Sequence, residues 1–375
     1  MERPGIIKRS PAHFVVDEIP AYEPAGEGAH LFLRFRKTNL TTDEAVRAIA
    51  RALGVERRDV GVAGLKDKVA VTTQWISVPA FDGCEERVGA LALAGIEVLE
   101  QRRHGNKLKT GHLRGNRFVI VVRDLAAADV DRARAALDRI GREGVPNAFG
   151  AQRFGREQDT HERARAWLTG TERAPRDPRE RRFQFSAFQS AIFNEVLDHR
   201  VATGTWNVPL LGDLLKKEDT GGLFVCTDVQ LDRERAERGE VCPTGPIVGD
   251  RMRQPAADAL ELEQRIVAPR IEGIDLHRAR ALGEGTRRAL RLRVTELSHD
   301  LHGSSHDGAS MSGDKPTEAV NVASGDPLNP RAQGSAIEVR FVLPKGAYAT
   351  TVLSHAFSVV DAAREERDAK LTEEE

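Results

Sequence analysis

The fold of this chain is constrained most by a series of short strand-like segments in its first 150 residues. The clearest is FVIVV at 118–122, and similar segments lie at 13–19, 31–35 and 69–78. β-branched residues, and alternation of apolar with polar side chains, are typical of strands with one buried face. We therefore expect residues 1–150 to form a mixed α and β domain built on a sheet.

Helices are predicted between these strands. Thr41 and Glu44 have the spacing of a capping box, an apolar face follows them, and Gly54 is suited to end the helix. Residues 129–140 also place their apolar side chains on one side at helical spacing.

Beyond residue 150 the pattern changes. Residues 183–201 predict a long helix that Ser186 could cap, and the Gly- and Pro-rich residues 202–250 predict short strands and turns. Residues 302–334 hold almost no large apolar side chains, so a flexible loop or linker is expected there. A strand at 337–343 and helices at 257–266 and 354–364 complete the predicted elements.

The charge balance excludes two classes of protein. At 375 residues the chain has room for two or three domains, and its 56 Lys and Arg offset 57 Asp and Glu to a formal net charge of −1. A uniformly basic nucleic-acid coat and an acidic disordered protein are both excluded. A protein whose charges are sorted along the chain is not excluded. Residues 101–118 hold six basic side chains and no acidic one, and residues 361–375 hold seven acidic and three basic ones.

The cysteines and the apolar segments bear on the compartment. Cys84, Cys226 and Cys242 are odd in number and scattered, which fits neither a disulfide framework nor a metal-binding pair. The apolar run at 88–96 is too short to span a bilayer, and the N-terminus lacks the apolar segment of a signal peptide. We expect a soluble, monomeric protein of the reducing cytoplasm.

Several cofactor and metal motifs are missing from the sequence. It contains no GxxxxGK[ST], GxGxxG, HExxH or GxSxG pattern. Nucleotide-cofactor and metal-dependent enzymes are therefore poor explanations, and we expect no cofactor and no metal ion.

The densest candidate for chemistry is GVAGLKDKVAVTTQW at residues 61–75. Its glycines allow a tight turn that leads to Asp67, which lies between Lys66 and Lys68. Flanking cations favour an ionised carboxylate and attract a polyanion. The segment fits a loop that presents a carboxylate to a sugar or base, and it also fits an ordinary surface turn between strands.

The basic run at 101–118 is the second candidate, because it could neutralise several phosphates. Within it, the Asn116 amide could pair with a base edge, and a flipped base could stack on Phe118. The alternative is a solvated basic hairpin with Phe118 in the core of its strand. Lys8, a third candidate, is on the residues alone an ordinary surface lysine.

The order of several blocks resembles the TruD family of tRNA pseudouridine synthases. The block around Asp67 carries much of the likeness, with AGLKDK at 63–68 followed by AVT and QW. The other blocks are FVV at 14–16, GEGAHL at 26–31, GNRF at 115–118, GVPN at 144–147, QRFG at 152–155, SAFQS at 186–190, PTGP at 243–246 and LPKGAYAT at 343–350. The likeness is specific because the blocks keep this order over nearly the whole chain.

The resemblance implies an α+β fold. It implies a pseudouridine-synthase-type catalytic domain, with an antiparallel mixed sheet and flanking helices, and an inserted α/β TRUD-type domain beside an RNA-binding cleft. The expected boundaries are 1–150 and 336–375 for the catalytic domain and 151–335 for the insertion. The polar stretch at 302–334 looks longer than the family needs, which leaves the second junction open.

The resemblance also implies roles for single residues in a cofactor-free reaction on tRNA, at uridine 13. Asp67 falls on the catalytic aspartate of the family, and Phe118 falls on the aromatic residue that stacks on the target uracil. Asn116 lies beside that ring. Lys8 falls on the family's lysine near the active site, and Lys66 precedes the aspartate.

The implied reaction breaks the N1–C1′ bond, turns the uracil and joins C5 to C1′. Asp67 could attack C1′ or take the C2′ proton, and both routes stay open. Lys66 and Lys68 are expected to keep Asp67 charged, and the basic segments to line a cleft beside it, with the acidic ones lying away from it.

Two other functions compete with this prediction. One is a non-catalytic tRNA-binding or folding-chaperone protein on the same scaffold. The other is a metal-free glycosidase-like enzyme, for which the sequence shows no second carboxylate in comparable context.

Overall fold

A computed structural model of the chain describes residues 4–155, 157–302 and 334–365. By their contacts the residues fall into two compact units. The first unit takes the residues up to 142 and from 294 onward, and the second takes 143–293. Most of the predicted polar loop at 302–334, and the last ten residues of the acidic tail, lie outside the described residues.

The described residues form sixteen strands and eight helices. The strands are β1 (Gly5–Ile7), β2 (Phe14–Pro20), β3 (His30–Thr38), β4 (Gly61–Val62), β5 (Val71–Pro79), β6 (Ile96–His104), β7 (Leu113–Leu125), β8 (Val145–Pro146), β9 (Leu214–Lys217), β10 (Leu223–Val225), β11 (Val241–Ile247), β12 (Thr286–Ala289), β13 (Arg291–Leu292), β14 (Thr295–Leu301), β15 (Ser335–Pro344) and β16 (Val359–Asp361). The helices are α1 (Thr42–Leu53), α2 (Cys84–Gly89), α3 (Ala127–Glu143), α4 (Thr160–Leu168), α5 (Pro178–Ala202), α6 (Val229–Glu237), α7 (Ala257–Ile271) and α8 (Ala349–Leu353).

The first unit is built on one mixed sheet, which confirms the predicted α+β class. Its main path runs β14-β15-β7-β2-β5-β3-β6, with β4 beside β5 and with β1 pairing both β7 and β16. All of these pairs are antiparallel except β2 with β5 and β1 with β16. The strands predicted in the first 150 residues and at 337–343 are confirmed.

Helix α1 forms where the capping pattern predicts it. The Glu44 backbone N–H donates to the Thr41 side chain, the Thr41 N–H donates to the Glu44 carboxylate, and Gly54 adopts a left-handed conformation at the end. The apolar face of the helix packs on β3 and β5, with Ile49 and Leu53 in one buried cluster with Phe35. This packing covers one face of the sheet.

The second unit has its own core and its own sheet. Strands β10, β9, β11 and β12 pair antiparallel in that order, and α5 lays Phe188 and Ile192 in a buried cluster with Val267 of α7. The prediction that Ser186 caps the long helix is wrong. The helix begins earlier, because the Asp177 carboxylate accepts the Arg179 N–H and Pro178 occupies the first turn. Part of the region predicted as strands and turns forms α6.

The end of the described chain differs from the predicted helix at 354–364. Residues 359–361 form β16, which pairs in parallel with β1, and helical residues begin only at 362. Strand β14 pairs with β15 in the sheet of the first unit, so residues 294–301 group with that unit and not with the insertion. None of the described helices is long and apolar enough to cross a membrane.

Candidate active site

Asp67 lies in the loop between β4 and β5, and buried groups hold the backbone of this loop. The Lys66 N–H donates to Thr42 Oγ1 at 2.9 Å, and the Lys37 ammonium donates to the Asp67 carbonyl at 2.7 Å. The side chain of Asp67 is nevertheless 55% exposed. The loop therefore fixes the backbone of Asp67 and presents its carboxylate to solvent.

Lys8 is the residue that pairs with the Asp67 side chain. Its Nζ lies 2.9 Å from Asp67 Oδ2 and 3.1 Å from Asp361 Oδ2. The same ammonium sits 4.4 Å from the centre of the Phe14 ring, a cation–π contact. Lys8 follows β1 with a φ of 55°, in the left-handed region that a lysine seldom adopts.

The two lysines beside Asp67 make their ion pairs with other carboxylates. Lys66 Nζ lies 2.8 Å from Glu18 Oε2 and donates to Asn116 Oδ1 at 2.8 Å. Lys68 pairs with Glu44 at 3.2 Å. The reason is geometric, because consecutive side chains of a loop leave it in different directions.

Asn116 and Phe118 lie on one face of β7, two residues apart. The Asn116 carbonyl oxygen is held by Lys66, which leaves the side-chain NH₂ as its donor group. Phe118 is 6% exposed, stacks on Phe341 with 5.3 Å between ring centres, and meets Phe14 edge-on. It is therefore packed in the core, and Phe341 covers one of its faces.

The basic run at 101–118 is less free than its sequence indicates. Three of its six basic side chains pair with carboxylates that come from outside the run, in Arg102–Glu100, Arg103–Glu85 and Arg117–Glu296. Side chains alternate along β7, so Arg117 points to the face of the sheet opposite Asn116 and Phe118. On that face Arg117 lines a concavity together with Val119 and Val121. This part of the run therefore does not lie on the face of Phe118.

Burial and hydrogen bonding shift the pKa values of two groups near the loop. Burial lowers the pKa of Lys37 from 10.5 to about 8, against the opposing attraction of the Asp67 carboxylate. Hydrogen bonds from Thr41, and a further one from Lys68, lower the pKa of Glu44 from 4.5 to about 2. The first shift therefore comes from the buried position of Lys37 in β3, and the second chiefly from the capping box of α1.

Three residues around Asp67 were missed from the sequence, and two of them left a signal. Lys37 continues the buried alternation of Leu33 and Phe35 in β3, and Glu18 continues that of Phe14 and Val16 in β2. A charged residue at a buried strand position needs a buried partner. The place of Lys37 and Glu18 in the alternation of buried residues could therefore have identified them as members of the site.

The third missed residue, Asp361, left no such signal. It lies 353 positions from the lysine that it contacts, in a segment that predicted a helix. Asp361 is also the second carboxylate that the sequence did not reveal, so the site holds two carboxylates on either side of one ammonium.

The arrangement fits attack on, or proton removal from, a sugar. An exposed carboxylate on a fixed backbone can act as a nucleophile or base, and the neighbouring ammonium and amide can stabilise an anionic substrate. Within the described ranges, no group of three or more His, Cys, Asp and Glu is placed to hold a metal ion.

Comparison with known proteins gives consistent matches. The family model described as tRNA pseudouridine synthase D (TruD) matches residues 3–174 and 177–356. A tRNA pseudouridine synthase D of Anaeromyxobacter sp. (strain Fw109-5) is 49% identical over 298 residues, covering 77% of this chain and 83% of its own. One of Anaeromyxobacter dehalogenans (strain 2CP-C) is 42% identical over 372 residues, covering 97% and 96%.

A solved structure matches in fold. The crystal structure of a tRNA pseudouridine synthase D described as putative, from Methanosarcina mazei, has a TM-score of 0.72 at 23% identity. The match covers 96% of this chain and 95% of that one.

Proposed function

Because this chain belongs to the TruD family of tRNA pseudouridine synthases, we propose that it converts uridine 13 of tRNA to pseudouridine with Asp67 as the catalytic carboxylate. Family membership makes the chain a tRNA-modifying isomerase. One observation carries the choice of Asp67. It is the exposed carboxylate on a loop whose backbone is fixed, 2.9 Å from a largely buried ammonium.

The proposed reaction brings an anionic substrate up to the Asp67 carboxylate. The Lys8 ammonium lies 2.9 Å from Asp67 Oδ2 and supplies a positive charge at this point. Asp67 then either attacks C1′ of the flipped nucleoside or takes the C2′ proton. Either step breaks the N1–C1′ bond and releases uracil, which turns until C5 faces C1′. C5 then bonds to C1′, displacing the Asp67 oxygen in the first route, or taking back the C2′ proton from Asp67 in the second. The C5 proton is finally lost to solvent and N1 takes one up, so product and substrate have the same composition.

The remaining predicted residues would bind the base. Lys66 holds the Asn116 carbonyl, so the Asn116 NH₂ is oriented to donate to a uracil oxygen. Phe118 is 6% exposed and Phe341 covers one of its faces, so stacking on the uracil would require its other face to become accessible. Lys66 itself has a side chain only 5% exposed, so it would act through Asn116 rather than touch the base.

The test is Asp67→Asn, which keeps the shape of the side chain and removes its charge. Purified protein is incubated with unmodified tRNA transcripts, and pseudouridine is mapped at base resolution. We expect no product from the variant, while its affinity for the transcript stays within a few-fold of wild type. A transcript with cytidine at position 13 should remain unmodified by the wild-type protein.

A matched control is Asp43→Asn, which changes a carboxylate of α1 that pairs with Arg47 and Arg57 on the surface. It should turn over normally. Normal turnover by Asp67→Asn would contradict the assignment of Asp67. Wild-type protein that binds tRNA and forms no pseudouridine would instead favour the non-catalytic tRNA-binding function.

A further inference from the structure

We propose that Asp361 is a positioning residue of the catalytic site, which holds the Lys8 ammonium against the Asp67 carboxylate. The inference rests on the proposed role of Asp67 and adds to it a residue from the far end of the chain. Asp361 lies outside the pattern of blocks that indicated the family.

The contacts of Lys8 are the first step. Its side chain is 10% exposed, and its Nζ is shared between Asp67 Oδ2 at 2.9 Å and Asp361 Oδ2 at 3.1 Å. Asp361 is 24% exposed against 55% for Asp67. The less exposed partner anchors the ammonium, and the more exposed partner is left open to substrate.

The backbone supports the same arrangement. Strands β1 and β16 pair in parallel with Ile7 opposite Asp361, so Lys8 is the next residue along. Lys8 then adopts its left-handed φ of 55°. Such a conformation is unfavourable for a lysine and persists only where the surroundings impose it. The ion pair with Asp361 is one contact that favours this conformation.

The two oxygens of Asp361 have separate partners. Oδ1 accepts the N–H groups of Ala363 and Arg364 at 3.1 and 3.3 Å, which caps the turn that follows β16. This cap orients the carboxylate so that Oδ2 faces Lys8. An asparagine can keep the cap through its own oxygen and cannot form the ion pair.

The charges around Asp67 show why the anchor matters. The groups that face it are Lys8, Asp361, the Lys37 ammonium at its carbonyl, and the neighbouring Lys66 and Lys68. Lys66 is engaged by Glu18 and Lys68 by Glu44. Lys8 is the cation paired with the Asp67 carboxylate, and Asp361 keeps it in place.

The experiment is a double-mutant cycle with Asp361→Asn and Lys8→Met in the full-length protein. Single-turnover rates are measured on an unmodified tRNA transcript, well below the unfolding midpoint of each variant. We expect Asp361→Asn to lower the rate about 100-fold, the loss typical of a misplaced catalytic group. Transcript affinity should stay within about twofold, because a positioning residue acts through Lys8 and not through a contact with the RNA.

The double variant tests whether Asp361 acts through Lys8. Asp361→Asn should change the rate by less than about twofold in the Lys8→Met background, since coupled residues are not additive. Asp361→Glu should recover part of the rate. Asp124→Asn is the matched control. It removes the charge of a carboxylate that is 23% exposed and pairs with Arg9, the residue after Lys8. It should leave the rate unchanged.

Two results would overturn the inference. One is a wild-type rate for Asp361→Asn, and the other is a loss of the same size in the presence and absence of Lys8. If Asp67→Asn is active, the proposed catalytic role of Asp67 is wrong. If Asp67→Asn is inactive and the effect of Asp361→Asn does not depend on Lys8, only the positioning role of Asp361 is wrong.

Discussion

Lys37 carries a charge at a position where its side chain has no exposed surface. Its ammonium donates to the carbonyls of Leu40 and Asp67, which replace part of the hydration that burial removes. The replacement is incomplete, because burial still lowers the pKa of Lys37 to about 8. At neutral pH this lysine therefore lowers the free energy of unfolding while it fixes the backbone of Asp67.

The lowered pKa of Lys37 predicts a pH dependence of stability. Between pH 8 and 10.5 the folded protein has released the Lys37 proton and the unfolded chain still binds it. Stability rises with pH wherever the unfolded state binds more protons. The free energy of unfolding of wild type, relative to Lys37→Met, should therefore increase as the pH rises through this window. Urea unfolding at pH 7 and pH 10 measures it.

An exposed lysine provides the control for this measurement. Lys109→Met should leave the free energy of unfolding within about 0.5 kcal/mol of wild type at pH 7. A difference between wild type and Lys37→Met that is equal at both pH values would contradict the lowered pKa.

The site could be predicted from sequence only in part. The local block GLKDK and its distant companions pointed to Asp67, Lys8 and Asn116, and the structure brings Lys8 to Asp67 and Lys66 to Asn116. The partner of Asp67 could not be read from its neighbours Lys66 and Lys68. Ion pairs are made between elements, and sequence adjacency does not determine them.

At the scale of elements, the start of α1 serves two purposes. Thr41 caps the helix, and the adjacent buried Thr42 accepts the Lys66 N–H, which holds the loop that carries Asp67. The helix could be predicted because its capping box and its Gly54 are local signals. Strand β16 could not, because its only partner is β1, at the other end of the described chain.

Removing the cap of α1 should weaken the protein measurably. Thr41→Ala should lower the free energy of unfolding by about 1 kcal/mol, while Thr41→Ser, which keeps the hydroxyl, should lose little. The hydrogen bonds of Glu44 keep its pKa near 2 when folded, against 4.5 unfolded. Its stabilisation is therefore present above pH 4.5 and lost as the pH falls toward 2.

Thermal unfolding of wild type and Thr41→Ala at pH 7 and pH 3 would test this. The gap between the two proteins should narrow at pH 3. A gap that widens in acid would contradict the capping role of Glu44.

At the scale of the molecule, the first and last strands of the second unit, β8 and β13, pair with each other. Val145 pairs with Leu292 and Pro146 with Arg291, so the chain enters and leaves the unit on adjacent strands. The sheet of the first unit could be predicted from its strand pattern. The second junction could not, because β14 belongs to that sheet through β15, which lies beyond the polar stretch.

The pairing of β8 with β13 predicts that residues 143–293 fold alone. The fragment keeps its own buried clusters, and we expect one cooperative thermal transition and no pseudouridine formation. The shorter fragment 151–293 removes β8 and leaves β13 without its partner, so its midpoint should be lower. A fragment 143–293 that shows no cooperative transition by circular dichroism would contradict the prediction.

The pairing of β1 with β16 has a consequence for protein synthesis. Ribosomes add about 5–20 residues per second, so roughly 20 to 70 s separate the making of Lys8 from that of Asp361, 353 positions later. Until then a nascent chain can hold Asp67 in its loop but lacks the strand that seats Lys8. The two-carboxylate centre can therefore assemble only after the ribosome has made all of the intervening chain.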